Sequence, residues 1–158
     1  MRWSVSLVAG LVILLAGCAT PPAKAPAAKA EFLNTPASLQ RGLPFSEAVR
    51  VNDILLLAGQ MGIDPATGKL VPGGVEPQAR QALENIKAVL ERNGRSMSDV
   101  VKCTVFLADI SEWAHFNEIY KQYFKPPYPA RSALGVNGLA NNGRLEIECM
   151  AYVPTAHP

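Results

Sequence analysis

Apolar and polar residues alternate in the first part of the folded region, in short runs that are typical of β-strands. The runs 45–52 and 55–62 flank the turn pair Asn52-Asp53, and this arrangement predicts a β-hairpin. A second turn signal, Asp64-Pro65-Ala66-Thr67-Gly68, leads into a short extended segment at 69–71. We therefore expect a hairpin and a tight turn before the first long helix.

The spacing of apolar residues changes to that of amphipathic helices in two later segments. Glu76-Pro77 predicts the start of the first helix and Gly94 its end. Its apolar face is formed by Ala79, Ala82, Leu83, Ile86, Val89 and Leu90. Asp109 or Ser111 can cap the second helix, which the proline-rich segment 126–129 ends. This helix carries an aromatic stripe that we expect in the core, formed by Trp113, Phe116, Tyr120 and Phe124.

Three further strand-like runs complete the pattern. Residues 100–108 lie between the two helices, and residues 131–136 and 145–153 are expected to pair across the turn Asn141-Asn142-Gly143. The order β-β-α-β-α-β-β predicts an α+β layer, with a mixed sheet and both helices on one of its faces. A chain of this length has no spare helix for the other face, so we expect oligomerisation through the bare sheet surface.

The length and composition restrict the possible functions. The chain has 158 residues, which suits one domain, and its 49% apolar and 18% charged residues are typical of a compact globular protein. The formal net charge is only +2, and the lysines and arginines do not form a cluster. Because phosphate binding needs such a cluster, we expect no nucleic-acid partner.

The amino terminus has the pattern of an export signal. Met1-Arg2-Trp3 is a short positive start, and the apolar run 5–16 has about twelve residues, whereas about twenty are needed to span a bilayer. The segment Leu15-Ala16-Gly17-Cys18 resembles the cleavage box of bacterial lipoproteins. We therefore predict a lipoprotein-type signal peptide at 1–17, with an ordinary signal peptide or a retained anchor as the alternative.

The residues after the cleavage box predict a tether. Cys18 would carry the lipid, and the segment 18–30 is rich in Pro, Ala and Lys, a composition that is typical of an extended linker. Ala19, and not an aspartate, follows the cysteine, which by resemblance to enterobacterial lipoproteins favours sorting to the outer membrane. We therefore expect a domain at 31–158 that is held by lipid at the outer membrane of a bacterial envelope and faces the periplasm.

Two further cysteines, Cys103 and Cys149, alternate with apolar residues inside strand-like runs. An exported protein meets an oxidising compartment, so a disulfide between them has to be considered. Two small buried thiols that fill a core would show the same pattern, and this is the interpretation that we favour. No histidine lies close in the sequence to suggest a thiol nucleophile, and we expect no metal site.

Arg131 and Glu146 carry the most informative chemistry, because each lies in the middle of an otherwise apolar strand-like run. Such side chains are seldom buried without a partner, so they bind either each other, within or between subunits, or a ligand. A guanidinium matches a carboxylate with two parallel hydrogen bonds. A pocket built on Arg131 therefore predicts a small organic acid, and Glu146 is a candidate to place a water or accept a proton.

Several ordered motifs resemble those of the RidA (YjgF-like, endoribonuclease L-PSP) family. The resemblance covers residues 32–153. Its motifs are Pro44-Phe45-Ser46-Glu47-Ala48-Val49, Ala58-Gly59-Gln60, Asp64-Pro65-Ala66-Thr67-Gly68, Gln78-Ala79-Arg80-Gln81-Ala82-Leu83-Glu84-Asn85-Ile86, Phe116-Asn117-Glu118-Ile119-Tyr120, Pro129-Ala130-Arg131-Ser132 and Leu145-Glu146-Ile147-Glu148. The resemblance implies a chorismate-mutase-like α+β fold and a homotrimer whose sheets pack into a central barrel, with three clefts between subunits.

The same resemblance implies an activity. Archetypal members hydrolyse reactive 2-enamine and 2-imine acids, such as 2-aminoacrylate, to 2-keto acids and ammonia without a metal or other cofactor. Carried over to this chain, Arg131 would bind the substrate carboxylate and Glu146 would hold or polarise the attacking water. The residues that the resemblance places around the cleft are Phe45, Ala58, Gly59, Asn117 and Ala133.

Three of these positions differ from active members of the family. Phe45 stands where they carry a tyrosine, Ala58 where they commonly carry a serine, and Ala133 where some carry a cysteine. One lost donor to a transition state costs on the order of a hundredfold in rate where that donor matters. A second hypothesis therefore stays open, a non-catalytic trimer that binds small carboxylates or protein partners. Ribonuclease activity is not supported, because no acid–base pair suited to phosphodiester cleavage is evident.

Overall fold

A computed structural model describes residues 29–154 of the chain. The predicted signal peptide at 1–17 lies outside the described residues, as does nearly all of the predicted tether at 18–30, including Cys18. The last four residues, 155–158, lie outside them as well. None of the helices in the described part of the chain combines the length and the apolar character needed to cross a bilayer.

The described residues form short strands and two main helices. The strands are β1 (Ala30–Leu33), β2 (Ala48–Val51), β3 (Ile54–Leu57), β4 (Gln60–Met61), β5 (Ile63–Asp64), β6 (Lys69–Leu70), β7 (Val100–Leu107), β8 (Ala130–Gly135) and β9 (Leu145–Tyr152). The helices are α1 (Pro36–Gln40), α2 (Val75–Arg92) and α3 (Trp113–Tyr123). Short 3₁₀ turns lie at Met97–Asp99, Ile110–Glu112 and Ala140–Asn142.

One mixed sheet organises the domain. Its strand order is β1-β2-β3-β9-β7-β8, and β4 pairs with β9 beside this row. All pairs in it are antiparallel except β7 with β8, which run parallel. Strands β5 and β6 form a separate small ladder at the predicted second turn. The predicted α+β class and the hairpin of β2 and β3 are confirmed, whereas β1 and α1 had no prediction from the sequence.

The final pair of strands differs from the prediction. We expected 131–136 and 145–153 to form a hairpin, but β8 and β9 are not neighbours, because β7 lies between them and pairs with both. The reason is the crossover through α3, which returns the chain to the starting end of β7 and so makes β8 parallel to it. The segment that joins β8 to β9 then passes over the end of β7, where Val136 N donates to Leu107 O at 2.9 Å.

Helices α2 and α3 pack together on one face of the sheet. The buried side chains of α2 are those of the predicted apolar stripe, together with Val75 and Gln78. Gly94 follows the helix with a φ of 68°, a left-handed conformation that glycine adopts without strain. The aromatic stripe of α3 is only partly core, since Phe116, Tyr120 and Phe124 are buried but Trp113 is half-exposed. That difference places Trp113 at the candidate site.

The other face of the sheet is uncovered in the single chain. The register places Phe32, Val49, Leu56 and Met150 in one row, on the side that α2 and α3 do not contact. Phe32 and Met150 are exposed, and so is Leu134 farther along the same face. Exposed apolar side chains along one sheet face are suited to an interaction surface. The bare face that the sequence predicts is therefore present in the structure.

The interpretation of Cys103 and Cys149 as free thiols is wrong, because the two form a disulfide. They lie directly opposite each other on β7 and β9, with a Cα–Cα distance of 4.1 Å, and both are buried under the helices. Side chains at opposed positions of an antiparallel pair lie side by side on the same face. The pairing register of β7 and β9 decides that the two cysteines are bonded to each other and are not free thiols. The sequence alone did not supply this register.

Removing this disulfide is expected to destabilise the domain strongly. It closes a loop with a sequence separation of 46 residues. A crosslink over such a loop restricts the unfolded chain, so the double substitution Cys103→Ala/Cys149→Ala should lower the free energy of unfolding by about 4 kcal/mol. Urea unfolding with and without dithiothreitol provides the measurement. The reductant should weaken the wild type and leave the double variant unchanged, and equal stability of the two proteins without reductant would contradict the prediction.

Candidate active site

Strand β8 and helix α3 bring Arg131 and Asn117 together. Arg131 lies opposite Cys103 in the ladder, so its side chain points to the face that carries the helices. There its Nη2 donates a hydrogen bond of 2.6 Å to Oδ1 of Asn117. Arg131 and Asn117 belong to separate sequence motifs, and both were predicted to lie in the cleft. In the structure they are in direct contact.

Two aromatic rings of α3 support the guanidinium. The Cζ atom of Arg131 lies 4.6 Å from the ring centroid of Tyr120 and 5.5 Å from that of Phe116. Within residues 29–154 no carboxylate forms a salt bridge with Arg131. A guanidinium has five N–H donors, and cation–π contact holds its plane without using them. Arg131 therefore presents an oriented, unpaired positive charge.

Two cavities meet at this charge. One has a volume of about 290 Å³ and is lined by Trp113, Asn117, Tyr120, Lys121, Tyr128, Pro129 and Arg131. The other has about 430 Å³ and is lined by Ile110, Trp113, Arg131 and Ala133. Lys121 pairs with Glu118 at the surface, with 2.7 Å between Nζ and Oε1, and Arg131 is the cation without a salt-bridge partner among the described residues that line the two cavities. A small acid would fit this arrangement.

Tyr120 is a pocket residue that the sequence assigned only to the core. Its hydroxyl is buried and has no hydrogen-bond partner within the described residues. Burial raises the pKa of Tyr120 to about 12, against a smaller lowering by Arg131, so the hydroxyl stays protonated at neutral pH. One signal for the pocket was present in the sequence, because Trp113, Asn117 and Tyr120 are four and three residues apart and share a helix face.

Glu146 lies on the opposite, uncovered face of the sheet. In the ladder it is paired with Phe106 and with Met61. Its carboxylate rests against the backbone of Gly59, where a Cβ would overlap Oε1 of Glu146. A side chain at position 59 would displace this carboxylate, so glycine lets Glu146 lie directly against the backbone. Burial, with a smaller contribution from the like charge of Glu148, raises the pKa of Glu146 above its ordinary value.

Arg131 and Glu146 do not meet within one chain. Their partners on β7 are Cys103 and Phe106, three residues apart, and successive side chains of a strand alternate between faces. The two side chains therefore project from opposite sides of the same sheet. An ion pair between them inside one chain is excluded by this geometry, and a site that uses both requires two copies of the chain.

The other predicted cleft residues divide between the two faces. Ala133 lies near Arg131 on the helix side, at the second cavity. Phe45 is exposed and lines a groove with Phe32 and Val49, on the uncovered side. Ala58 lies in the connection between β3 and β4, where its N–H donates to Glu47 O at 3.0 Å. Within the part of the chain that the structure describes, no cluster of His, Cys, Asp or Glu is placed to hold a metal ion.

Comparison with known proteins gives consistent matches over this whole domain. A family model described as endoribonuclease L-PSP matches residues 35–153. Over 108 residues the chain is 49% identical to a protein of Bos taurus named 2-iminobutanoate/2-iminopropanoate deaminase, an alignment that covers 68% of this chain and 79% of the relative.

Solved structures share the fold as well as the sequence pattern. RidA from an Antarctic Psychrobacter is 42% identical, with a TM-score of 0.68, over 70% of this chain and 89% of that chain. TdcF of E. coli, solved with bound serine, is 38% identical, with a TM-score of 0.65, over 70% of this chain and 88% of that chain. The two main helices on a mixed sheet are therefore an arrangement that this chain has in common with both.

Proposed function

Because the chain belongs to the endoribonuclease L-PSP (RidA, YjgF-like) family, we propose that it hydrolyses reactive 2-enamine and 2-imine acids to 2-keto acids and ammonia. The observation that carries this proposal is the guanidinium of Arg131, oriented by Asn117 and two aromatic rings and free of any carboxylate partner within residues 29–154. A relative that is 49% identical bears the name of an imine deaminase, which supports the same chemistry.

The reaction needs little more than orientation and a base. The carboxylate of the substrate accepts two hydrogen bonds from Arg131, which holds the adjacent imine carbon in place. A protonated imine is electrophilic, so water adds to this carbon while Glu146 accepts one of its protons. The resulting amino alcohol transfers a proton to nitrogen, its C–N bond breaks, and the C–O electrons form the keto group as ammonia leaves.

We propose that this site is assembled between copies of the chain, in the homotrimer that the family resemblance implies. Arg131 and Glu146 lie on opposite faces of one sheet, so one subunit would supply the guanidinium and its neighbour the carboxylate. The uncovered apolar face, with Phe32, Leu134 and Met150 exposed, is a suitable contact surface. Sedimentation velocity tests the assembly, and a monomer at micromolar concentration would contradict it.

The direct test of the function is the release of keto acid by the purified full chain. 2-Aminoacrylate and 2-iminobutanoate are generated in situ by a dehydratase, and the rate is compared with spontaneous hydrolysis. Acceleration supports the deaminase. No acceleration by a folded trimer would favour the second candidate, a carboxylate-binding protein without turnover. The observation in favour of that candidate is that Phe45, Ala58 and Ala133 bring no hydrogen-bonding side chain to the site.

We also propose that the protein acts in the bacterial envelope, anchored through a lipid on Cys18. The Cys103–Cys149 disulfide supports an oxidising compartment, since such bonds are rare in the cytosol. In a Gram-negative host the full chain should fractionate with outer membranes, and Cys18→Ser should release it from that fraction. Recovery of the wild-type chain in the cytosol with reduced cysteines would contradict this location.

A further inference from the structure

We propose that Lys102 of each copy forms an ion pair with Glu148 of the next copy, so that three such pairs close a ring inside the trimer. The inference rests on the assembly proposed above and is independent of the deaminase reaction. It commits the uncovered face to a second copy of this chain, and charge complementarity is the observation that carries it. The two side chains lie on neighbouring strands of that face, β7 and β9.

The uncovered face has a polar patch within a largely apolar surface, formed by Lys102, Thr104, Ser132 and Glu148. The register places Thr104 between Glu148 on β9 and Ser132 on β8, and Lys102 lies in the next row along β7. Within residues 29–154 the charged side chains that the strands of this sheet place on the uncovered face are Lys102, Glu146 and Glu148. The patch therefore brings charges of both signs to a surface that assembly would cover.

Lys102 and Glu148 border the same hollow but do not pair within one chain. A cavity of about 220 Å³ has both side chains in its lining. Nζ of Lys102 donates a hydrogen bond of 2.9 Å to Oγ of Ser132 on β8, the last strand of the row, whereas Glu148 lies on β9 at the other side of β7. Neither charge forms a salt bridge within residues 29–154. The ammonium group is therefore held toward the edge of the sheet, where a neighbouring copy can reach it.

Glu148 is the carboxylate of this face that is open to another chain. It is exposed, whereas Glu146 is partly buried and its carboxylate rests against the backbone of Gly59. Thr104, directly opposite Glu148 in the ladder, has a neutral side chain. Once assembly excludes water, Glu148 is stable as a carboxylate only beside a cation, and Lys102 is the cation that this face provides.

Closure of the trimer brings the two charges together. Copies in a ring meet through two different patches, so the edge of one copy contacts a different part of the next. Contact between the β8 edge of one copy and the β9 region of the next places Lys102 near Glu148 across the interface. Each copy then gives one lysine and receives one, which leaves neither charge unpaired. An arrangement that opposes two lysines or two glutamates is disfavoured, so the pairs select one assembly.

Charge reversal tests the pairing by sedimentation velocity of the full chain. Lys102→Glu and Glu148→Lys each place like charges together, and each should raise the concentration needed for half-assembly by about a hundredfold. The combined substitution Lys102→Glu/Glu148→Lys restores opposite charges with their positions exchanged, and it should assemble within about tenfold of the wild type. Lys87→Glu is the matched control, because Lys87 lies on α2, where it pairs with Glu84 and Glu91, and its reversal should leave assembly unchanged.

Crosslinking of the wild type identifies the partners without any substitution. Unlabelled chains and chains labelled with heavy isotopes are unfolded, mixed and refolded, and a carbodiimide then joins amines to carboxylates that are in contact. Mass spectrometry should find peptides of Lys102 and Glu148 joined with one light and one heavy member, as expected for a pair between copies. Joined peptides that always carry the same label would place the pair within one chain and overturn the inference.

The outcomes separate this inference from the proposed function. A wild-type trimer whose single-reversal variants assemble equally well would overturn the ion pairs and leave the assembly and the deaminase standing. Failure of the combined substitution to restore assembly, in a chain that circular dichroism shows to be folded, would also overturn the pairing. A monomeric wild type would overturn the proposed assembly together with this inference, while the keto-acid assay reports on the reaction separately.

Discussion

Replacing Arg131 with alanine should reduce kcat/KM for 2-iminobutanoate by about a thousandfold, because the carboxylate then has no group that orients the imine carbon toward water. Among the residues that line the two cavities, Arg131 is the cation without a salt-bridge partner in the described part of the chain, whereas Lys121 is paired with Glu118. The measurement is the keto-acid assay at several substrate concentrations, with the spontaneous rate subtracted.

Two controls separate this effect from misfolding. Arg131→Lys retains the positive charge but loses the planar fork, and it should recover only part of the activity. The alanine variant loses contact with Tyr120 and Phe116 but breaks no salt bridge among the described residues, so its thermal unfolding should stay cooperative. Wild-type activity in the alanine variant would show that Arg131 is not the carboxylate anchor.

Replacing Glu146 with glutamine should lower kcat by about a thousandfold and change KM little, because the substitution removes the base and keeps the shape of the side chain. Binding of a stable keto acid, measured by calorimetry, should be close to that of the wild type, in contrast to Arg131→Ala. An equal loss of binding in both variants would indicate that the two residues pair with each other between subunits and support assembly, not catalysis.

The pH dependence follows from the environment of the same carboxylate. Glu146 must be ionised to accept a proton, and burial raises its pKa, with Glu148 adding to the effect. Activity should therefore fall as the pH is lowered through this raised pKa, at a higher pH than an ordinary glutamate would give. Glu148→Gln removes the like charge and should move this acidic limb to lower pH in a profile of kcat/KM. If the acidic limb does not move in Glu148→Gln, the limb reflects the titration of a group other than Glu146.

Mixing the two inactive variants tests whether the site lies between subunits. When Arg131→Ala and Glu146→Gln chains are unfolded together in equal amounts and refolded, each mixed trimer contains one cleft with both wild-type groups. Random assembly should restore about one quarter of the wild-type activity. Each variant refolded alone is the control. No recovery in a mixture shown to contain mixed trimers would contradict a composite site.

Much of the fold could be predicted because the decisive signals are local. The helix α2 follows from a regular apolar spacing that ends at Gly94, and the hairpin of β2 and β3 follows from alternation around Asn52, which adopts a φ of 51°. The spacing of apolar residues and the conformational preferences of turn residues involve positions only a few residues apart. Both signals can therefore be read from the sequence itself. Arg131 and Glu146 were likewise named as candidates from the sequence because each is a charge inside an apolar run, and Asn117 was named from the family resemblance.

The errors concern contacts between distant parts of the chain. The hairpin expected for β8 and β9 failed because pairing depends on where β7 lies, and the same ladder joins Cys103 to Cys149. Trp113 has the spacing of the predicted core stripe, but it is the first residue of α3. It therefore lies at the edge of the packed layer, where its side chain is half-exposed. Each outcome depends on register or on position at the edge of the domain, which the local pattern does not encode.

The sequence by itself determined the fold class, the family and the residues with candidate chemistry, because these depend on residue type and on spacing along the chain. Only the tertiary structure decided that Arg131 and Glu146 face opposite sides of one sheet, and that aromatic rings surround the first of them. The physical reason is the period of two in a β-strand, since a shift of one residue in the register exchanges the faces of every side chain.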